Sequence, residues 1–173
     1  MIGLKRGVVE LRVNEKDWAN IAKDTIDRLY RVMGDIAVDI QHVGSTSIKS
    51  IVAKPIIDLA VGVRDFDDVY DIIEKLEEAG FIHKEINDDE HQIYFSCGDY
   101  KADTRTHHIH VVIFGGDEYC NYIFFRDYLN EHPKVAREYE TLKLDLLKKH
   151  KYDRSKYTQS KDEFIKSILK LRI

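Results

Sequence analysis

The chain has 173 residues, enough for one domain with a substantial core and short for two. With 43% apolar and 34% charged residues it has the balance of an ordinary globular protein, which excludes the disordered and membrane-embedded classes. The net charge of −4 argues against a general nucleic-acid binder but hides an asymmetry. From Lys134 onward twelve Lys and Arg face six Asp and Glu, whereas the first 133 residues hold fifteen against twenty-five. The basic tail suits either solvated helix faces or a polyanion such as a nucleoside triphosphate. The acidic remainder makes nucleic-acid polymerisation the least favoured activity, and no nucleic-acid partner is expected.

The first residues lack a signal peptide's apolar stretch, and the run around Ile51 to Val63 is broken by Lys54 and Asp58, so neither export nor a membrane span is expected. Cys97 and Cys120 form no CxxC pair, which suits a reducing cytoplasm.

In chain order, Val8 to Val13 reads as a short opening strand or extended segment, with Asn14 as N-cap of the helix that follows. Trp18, Ile21, Ala22, Thr25, Ile26, Leu29, Val32 and Met33 recur at helical spacing and predict a helix over 16–33, stopped by Gly34. Ile36 to Val43 alternates as a strand. It runs into the small-residue turn Gly44-Ser45-Thr46-Ser47, whose amides and hydroxyls suit a phosphate, since glycine lets the backbone approach closely. The same turn also suits a plain loop or cap. Ser47 to Ala53 reads as short helix or loop, and Lys54 is held extended by Pro55.

The strand Ile56 to Val63 places Ile57, Leu59, Val61 and Val63 on one face and Ile56, Asp58, Ala60 and Gly62 on the other. A carboxylate in so apolar a strand needs a partner, an ion or solvent access. A second helix spans Phe66 to Ala79 and stops at Gly80, and strands follow at Phe81–Ile86 and Gln92–Cys97. His107 to Phe114 alternates again, with Ile109, Val111 and Ile113 on one face. His108 and His110 share the other, about 7 Å apart by strand rise. Zinc is disfavoured there, because structural zinc takes four ligands and neither cysteine is spaced to supply the rest. The last third reads as helix: Asp117–Leu129, a Pro133-initiated helix, a polar linker from His150 to Gln159, and Ser160–Leu171. The aromatic stretch Tyr119–Tyr128 fits core packing or a base-stacking platform.

Five motifs in order, His42-Val43-Gly44-Ser45-Thr46-Ser47, Lys54-Pro55-Ile56-Ile57-Asp58, His107-His108-Ile109-His110-Val111-Val112, Phe125-Arg126-Asp127-Tyr128-Leu129 and Tyr157 through Phe164-Ile165, resemble the GrpB-like family of the nucleotidyltransferase superfamily. The resemblance implies an α/β (α+β) domain over 1–173, with a mixed sheet flanked by helices in 1–116 and a helical part in 117–173. Gly44-Ser45 and Asp58 fit the superfamily's strand-end Gly-Ser and the first carboxylate of its next strand, and the residues themselves are read with Gly44, Ser45, Thr46, Ser47, His42, His108 and Arg126 as nucleotide-binding, Asp58, Lys54 and His110 as catalytic, and Asp58 as magnesium ligand.

The expected activity is magnesium-dependent transfer of a nucleotidyl group from a triphosphate such as ATP to a small acceptor. The alternative is a non-catalytic module binding a nucleotide or small anionic metabolite in the same cleft. Two departures bear on the choice. Ala60 stands where the superfamily carries a second carboxylate, and Ser50 replaces a glycine common in the family's loop.

Overall fold

The computed structural model of the chain describes residues 2–14, 16–150 and 153–172. Its first elements are β1 (Leu4–Lys5), α1 (Lys16–Met33), β2 (Ala37–Val43) and β3 (Ile57–Val63). Then come two short helices, α2 (Asp67–Tyr70) and α3 (Ile73–Glu78), followed by β4 (Ile82–His83), β5 (Gln92–Cys97), β6 (Thr104–Arg105) and β7 (His107–Ile113). Four helices end the chain: α4 (Asp117–Glu131), α5 (Pro133–His150), α6 (Arg154–Gln159) and α7 (Asp162–Leu169).

Five strands form one mixed sheet in the order β2-β3-β7-β5-β4, antiparallel throughout except for the parallel pair β3–β7. One face is apolar because the alternation of β3 and β7 puts Ile57, Leu59, Val61, Val63, Ile109 and Val111 on it. These residues pack against Trp18, Ala22, Leu29 and Met33, the buried stripe of α1 at intervals of four and seven residues. The other face is crossed by α4. It can come close because β3 presents Ala60 and Gly62 there: a Cβ on Gly62 would stand 2.9 Å from Phe114 and 3.1 Å from Tyr119. A second apolar cluster joins Ile48 and Ile51 to Leu129, Ala136, Tyr139 and Ile168, docking the C-terminal helices onto the loop before β3.

Several expected elements differ in detail. The opening strand is Leu4–Lys5, paired with β6, and of Val8–Val13 only Arg12 pairs, in an isolated bridge to Ala53. That bridge, with Gly3 N donating to Pro55 O at 2.7 Å, grips the chain on both sides of Lys54. The side-chain amide of Asn14 donates to the carbonyls of Thr46 and Ile48, tying the small-residue turn to the start of α1. The helix expected over 66–79 is split at Ile72, whose N–H bonds back three residues to Val69. Beyond His83 the strand gives way to a 3-10 turn at Glu85–Asn87. Ile113 lies half-exposed at the end of β7.

The linker expected over 150–159 is helical from Arg154, because the Asp153 side chain accepts from Lys156 N as an N-cap and Tyr157 is fully buried against Val9 and Leu146. Among the described residues no helix is long and apolar enough to cross a membrane.

Candidate functional site

The parallel register of β3 and β7 sets Asp58 opposite His108 and Ala60 opposite His110. Both imidazoles therefore lie beside the carboxylate. His108 Nδ1 is 3.2 Å from Asp58 Oδ1, and His110 Nε2 is 3.8 Å from the same oxygen. Burial by itself pushes the Asp58 carboxyl up. Hydrogen bonds from His108 and His110, and then their charge, outweigh that and hold it well below the usual carboxylate range. The other carboxylate oxygen faces the turn after β2: a Cβ on Gly44 would fall 2.5 Å from Asp58 Oδ2.

Gly44 adopts φ 69° and ψ −172°, a conformation essentially confined to glycine. It redirects the chain into the 3-10 turn Ser45–Ser47. Within that turn the Ser47 hydroxyl donates to Gly44 O at 2.6 Å and Thr46 Oγ1 bonds His42 Nε2 at 2.9 Å. These two hydroxyls brace the turn from inside. Burial lowers the pKa of His42 to about 4, with Asp58 opposing and Arg126 assisting, so its ring is neutral near pH 7.

A cavity of about 430 Å³ opens on these groups, a size that suits a small organic ligand. Its sheet-side wall holds Gly44, Ser45, Lys54, Ile56, Asp58, His108 and His110. Its other wall is built by helices. From α4 come Glu118, Asn121, Tyr122 and Phe125, and from α5 comes Tyr139, whose hydroxyl hydrogen-bonds the Ser45 side chain. Thr158, Lys161, Ile165 and Leu169 complete it. Lys54 and Lys161 both stand over the buried Tyr157 ring, with Nζ at 5.8 and 4.9 Å from its centroid, so two cations share one side of the cavity.

Of the residues singled out in the sequence, Gly44, Ser45, Lys54, Asp58, His108 and His110 meet in this cavity, while His42, Thr46, Ser47 and Arg126 are not among its lining residues. Arg126 instead reaches back to β2, where Nη1 donates to Gln41 Oε1 at 2.7 Å and to His42 O at 3.1 Å. Tyr119 OH donates to Asp39 beside it, and Gln41 also donates to Asp39. The guanidinium thus latches α4 to the sheet. Arg126→Ala is expected to lower stability by about 2 kcal/mol in urea unfolding, with ligand affinity changing less than threefold. A large affinity loss at unchanged stability would place Arg126 on the ligand.

The residues do not fit a resident pair of magnesium ions. Magnesium prefers oxygen donors, yet Asp58 is flanked by two imidazoles, and Ala60, at the second-carboxylate position, is completely buried. Among the described residues no group of three or more His, Cys, Asp or Glu is arranged to hold a metal ion.

A family model described as GrpB protein matches residues 8–171. Glutamate-rich protein GrpB of Alkalihalophilus pseudofirmus is 39% identical over 171 residues, covering 98% of both chains. UPF0157 protein YqkA of Bacillus subtilis is 39% identical over 163 residues, 94% of this chain but 46% of YqkA, so the chain spans less than half of that relative. The crystal structure of conserved protein GrpB from Enterococcus faecalis superposes with a TM-score of 0.85 at 31% identity, covering 94% of this chain and 96% of that one. A Cid1 poly(U) polymerase with Mg 3′-dATP bound superposes with a TM-score of 0.53 at 17% identity, over 80% of this chain and 42% of that one, a likeness of fold with a nucleotidyltransferase. On the family model's span and the extent of these identities, the chain belongs to the GrpB family.

Proposed function

We propose that the cavity binds a nucleoside triphosphate and that the protein transfers its nucleotidyl group to a small hydroxyl-bearing acceptor. The observation that carries this reading is the convergence of Ser45, Lys54 and Lys161 with Asp58 in one cavity. Two ammonium groups and a serine beside a glycine turn recognise a phosphate chain, while Tyr122 and Phe125 offer an aromatic wall to a base. In the transfer, the acceptor oxygen bonds to the α-phosphorus as the bond to the bridging oxygen breaks, and pyrophosphate leaves. His108, oriented through Nδ1 by Asp58, takes the acceptor's proton. Lys54 and Lys161 stabilise the charge that develops on the departing phosphates. Any magnesium would enter as the triphosphate's own counter-ion.

Calorimetric titration with a non-hydrolysable ATP analogue tests the binding. Lys161→Ala is expected to weaken it at least tenfold, as the loss of one charge-assisted contact does. No measurable binding by the wild-type protein, with or without magnesium, overturns the reading. The buried Ala60 favours a second reading, a non-catalytic nucleotide-binding module. Analogue binding without pyrophosphate release from ATP, across a panel of hydroxyl acceptors, decides for the module.

A further inference from the structure

The cavity is ordered along its length, because α4 and α7, which help to close it, run antiparallel. Just beyond α7, Arg172 Nη2 donates to Asp117 Oδ1 at 2.7 Å, at the start of α4. Towards the other end the Tyr139 ring stacks on Phe164 of α7 at 5.1 Å and meets Phe125 of α4 edge-on at 5.4 Å. Lys161 therefore lies by the Phe125 turn, and Leu169 by the Glu118 turn. The sheet keeps the same order. Gly62 abuts Tyr119, the His110 ring lies 5.0 Å from the Tyr122 ring, and Arg126 reaches the carbonyl of His42, whose partner across the strands is Leu59. Asp58 and the lysines thus share one end of the cavity. Glu118 stands two helical turns from Phe125, about 10 Å of rise along α4.

At that far end Glu118 and Asn121 lie on one face of α4 and both line the cavity. Neither side chain is hydrogen-bonded or ion-paired to another described residue. Between them and the lysines, Tyr122 on one wall and Ile165 and Leu169 on the other bound a slot suited to a flat ring. A carboxylate only accepts hydrogen bonds, so it favours ligand N–H groups and repels lone pairs, whereas an amide both donates and accepts. Of the four common bases, guanine alone sets two donors side by side, N1–H and the 2-amino group, with the O6 acceptor next to them. Adenine and cytosine each place a ring lone pair beside their one amino group, and uracil holds a single N–H between two carbonyls.

We infer that Glu118 and Asn121 read the base of the bound nucleotide and select guanine, Glu118 accepting from N1–H and the 2-amino group while Asn121 donates to O6. This rests on the reading of the cavity as a triphosphate site, and its test separates the two. The full chain is titrated calorimetrically with non-hydrolysable GTP, ITP and ATP analogues. The GTP analogue is expected to bind at least tenfold tighter than the ATP analogue, as a bidentate, charge-assisted contact does. The ITP analogue, which differs from the GTP analogue by the 2-amino group alone, falls between them. Equal affinity for the three, or a preference for ATP, overturns the inference.

Two variants locate the selection. Glu118→Gln, at an exposed position, is expected to bring the GTP-to-ATP ratio to about threefold or less without weakening the ATP analogue. Lys161→Ala is expected to weaken all three analogues alike and to keep the ratio. A ratio that survives Glu118→Gln, or that collapses in Lys161→Ala, also overturns the inference, because selection would then come from elsewhere in the cavity. If the wild-type protein binds no triphosphate, the triphosphate reading fails and competition between GMP and AMP decides the inference. It stands if GMP is preferred by the wild type and not by Glu118→Gln, and falls if the wild type shows no preference or binds neither.

Discussion

Gly44→Ala is expected to abolish triphosphate binding and to lower the unfolding free energy by about 3 kcal/mol, the sum of a conformational and a steric cost. At φ 69° and ψ −172° an L side chain is strained wherever it points. Here the added methyl would also stand 2.5 Å from Asp58 Oδ2, 2.9 Å from Asp58 Cβ and 3.0 Å from Asp58 Cγ. Relief requires either the turn or the carboxylate to move, and both lie in the cavity wall. Gly115→Ala separates the two costs. Gly115 has a similar φ of 72°, but a Cβ there meets nothing within 4 Å, so only the conformational part, about 1 kcal/mol, is expected. Urea unfolding and calorimetric titration of both variants check this. Equal losses at the two glycines would show that the contact between Gly44 and Asp58 carries no energy.

The second large effect is on pH. Burial lowers the pKa values of both His42 and His107 from 6.5 to about 4, with Arg28 next in lowering His107. The unfolded chain therefore takes up two protons near pH 6.5 that the folded chain refuses until about 4. Stability must fall as pH drops through that window, with a slope approaching about 2.7 kcal/mol per pH unit at its centre. On the alkaline side Lys143 acts in the same sense. It is buried on α5, where its ammonium donates to Val52 O and lies 4.8 Å from the Tyr139 ring centroid. Burial, with repulsion from Lys161 and Lys54, lowers its pKa from 10.5 to about 7 against the pull of Glu140.

A depressed lysine holds its proton more weakly folded than unfolded, so stability continues to rise above pH 7. The rise ends near pH 9, where Cys97, its thiol pushed up by burial to about 12, opposes it. Urea midpoints are thus expected to climb from pH 4 to a maximum near 9. Lys143→Met should flatten the limb between 7 and 9, and His107→Gln should reduce the acid slope by about half. A maximum at or below pH 6 would contradict the buried neutral histidines.

The sheet-borne half of the site was legible because strands alternate. Once Ile56–Val63 and His107–Phe114 are read as strands, Asp58 must face away from the apolar side, and His108 and His110 must share a face. Their meeting follows from the parallel pairing of the two strands, which no local pattern encodes. The helix-borne half was less legible. Tyr122 and Phe125 lay within an aromatic stretch equally suited to packing, and Lys161 was one cation among twelve in the basic tail, so only the docking of α5–α7 selects them. Arg126 stands outside the cavity lining. Its residue type suits phosphate, but Gln41, 85 positions away, claims it once α4 lies across the sheet. Thr46 and Ser47 were read as donors to a ligand, and their hydroxyls are already bonded to His42 and Gly44.

One wall of the cavity comes from residues 44–58 and 108–110, the other from residues 118–169. On the ribosome, then, the cleft stays open-sided until its last helix has emerged, and no earlier fragment could retain a ligand through both walls. A bound molecule would act as a rivet between the sheet and the helices. At a hundred times its dissociation constant it would add about 2.7 kcal/mol of resistance to their separation. Amide exchange in α7, far along the chain from the glycine turn, would slow when the turn is occupied.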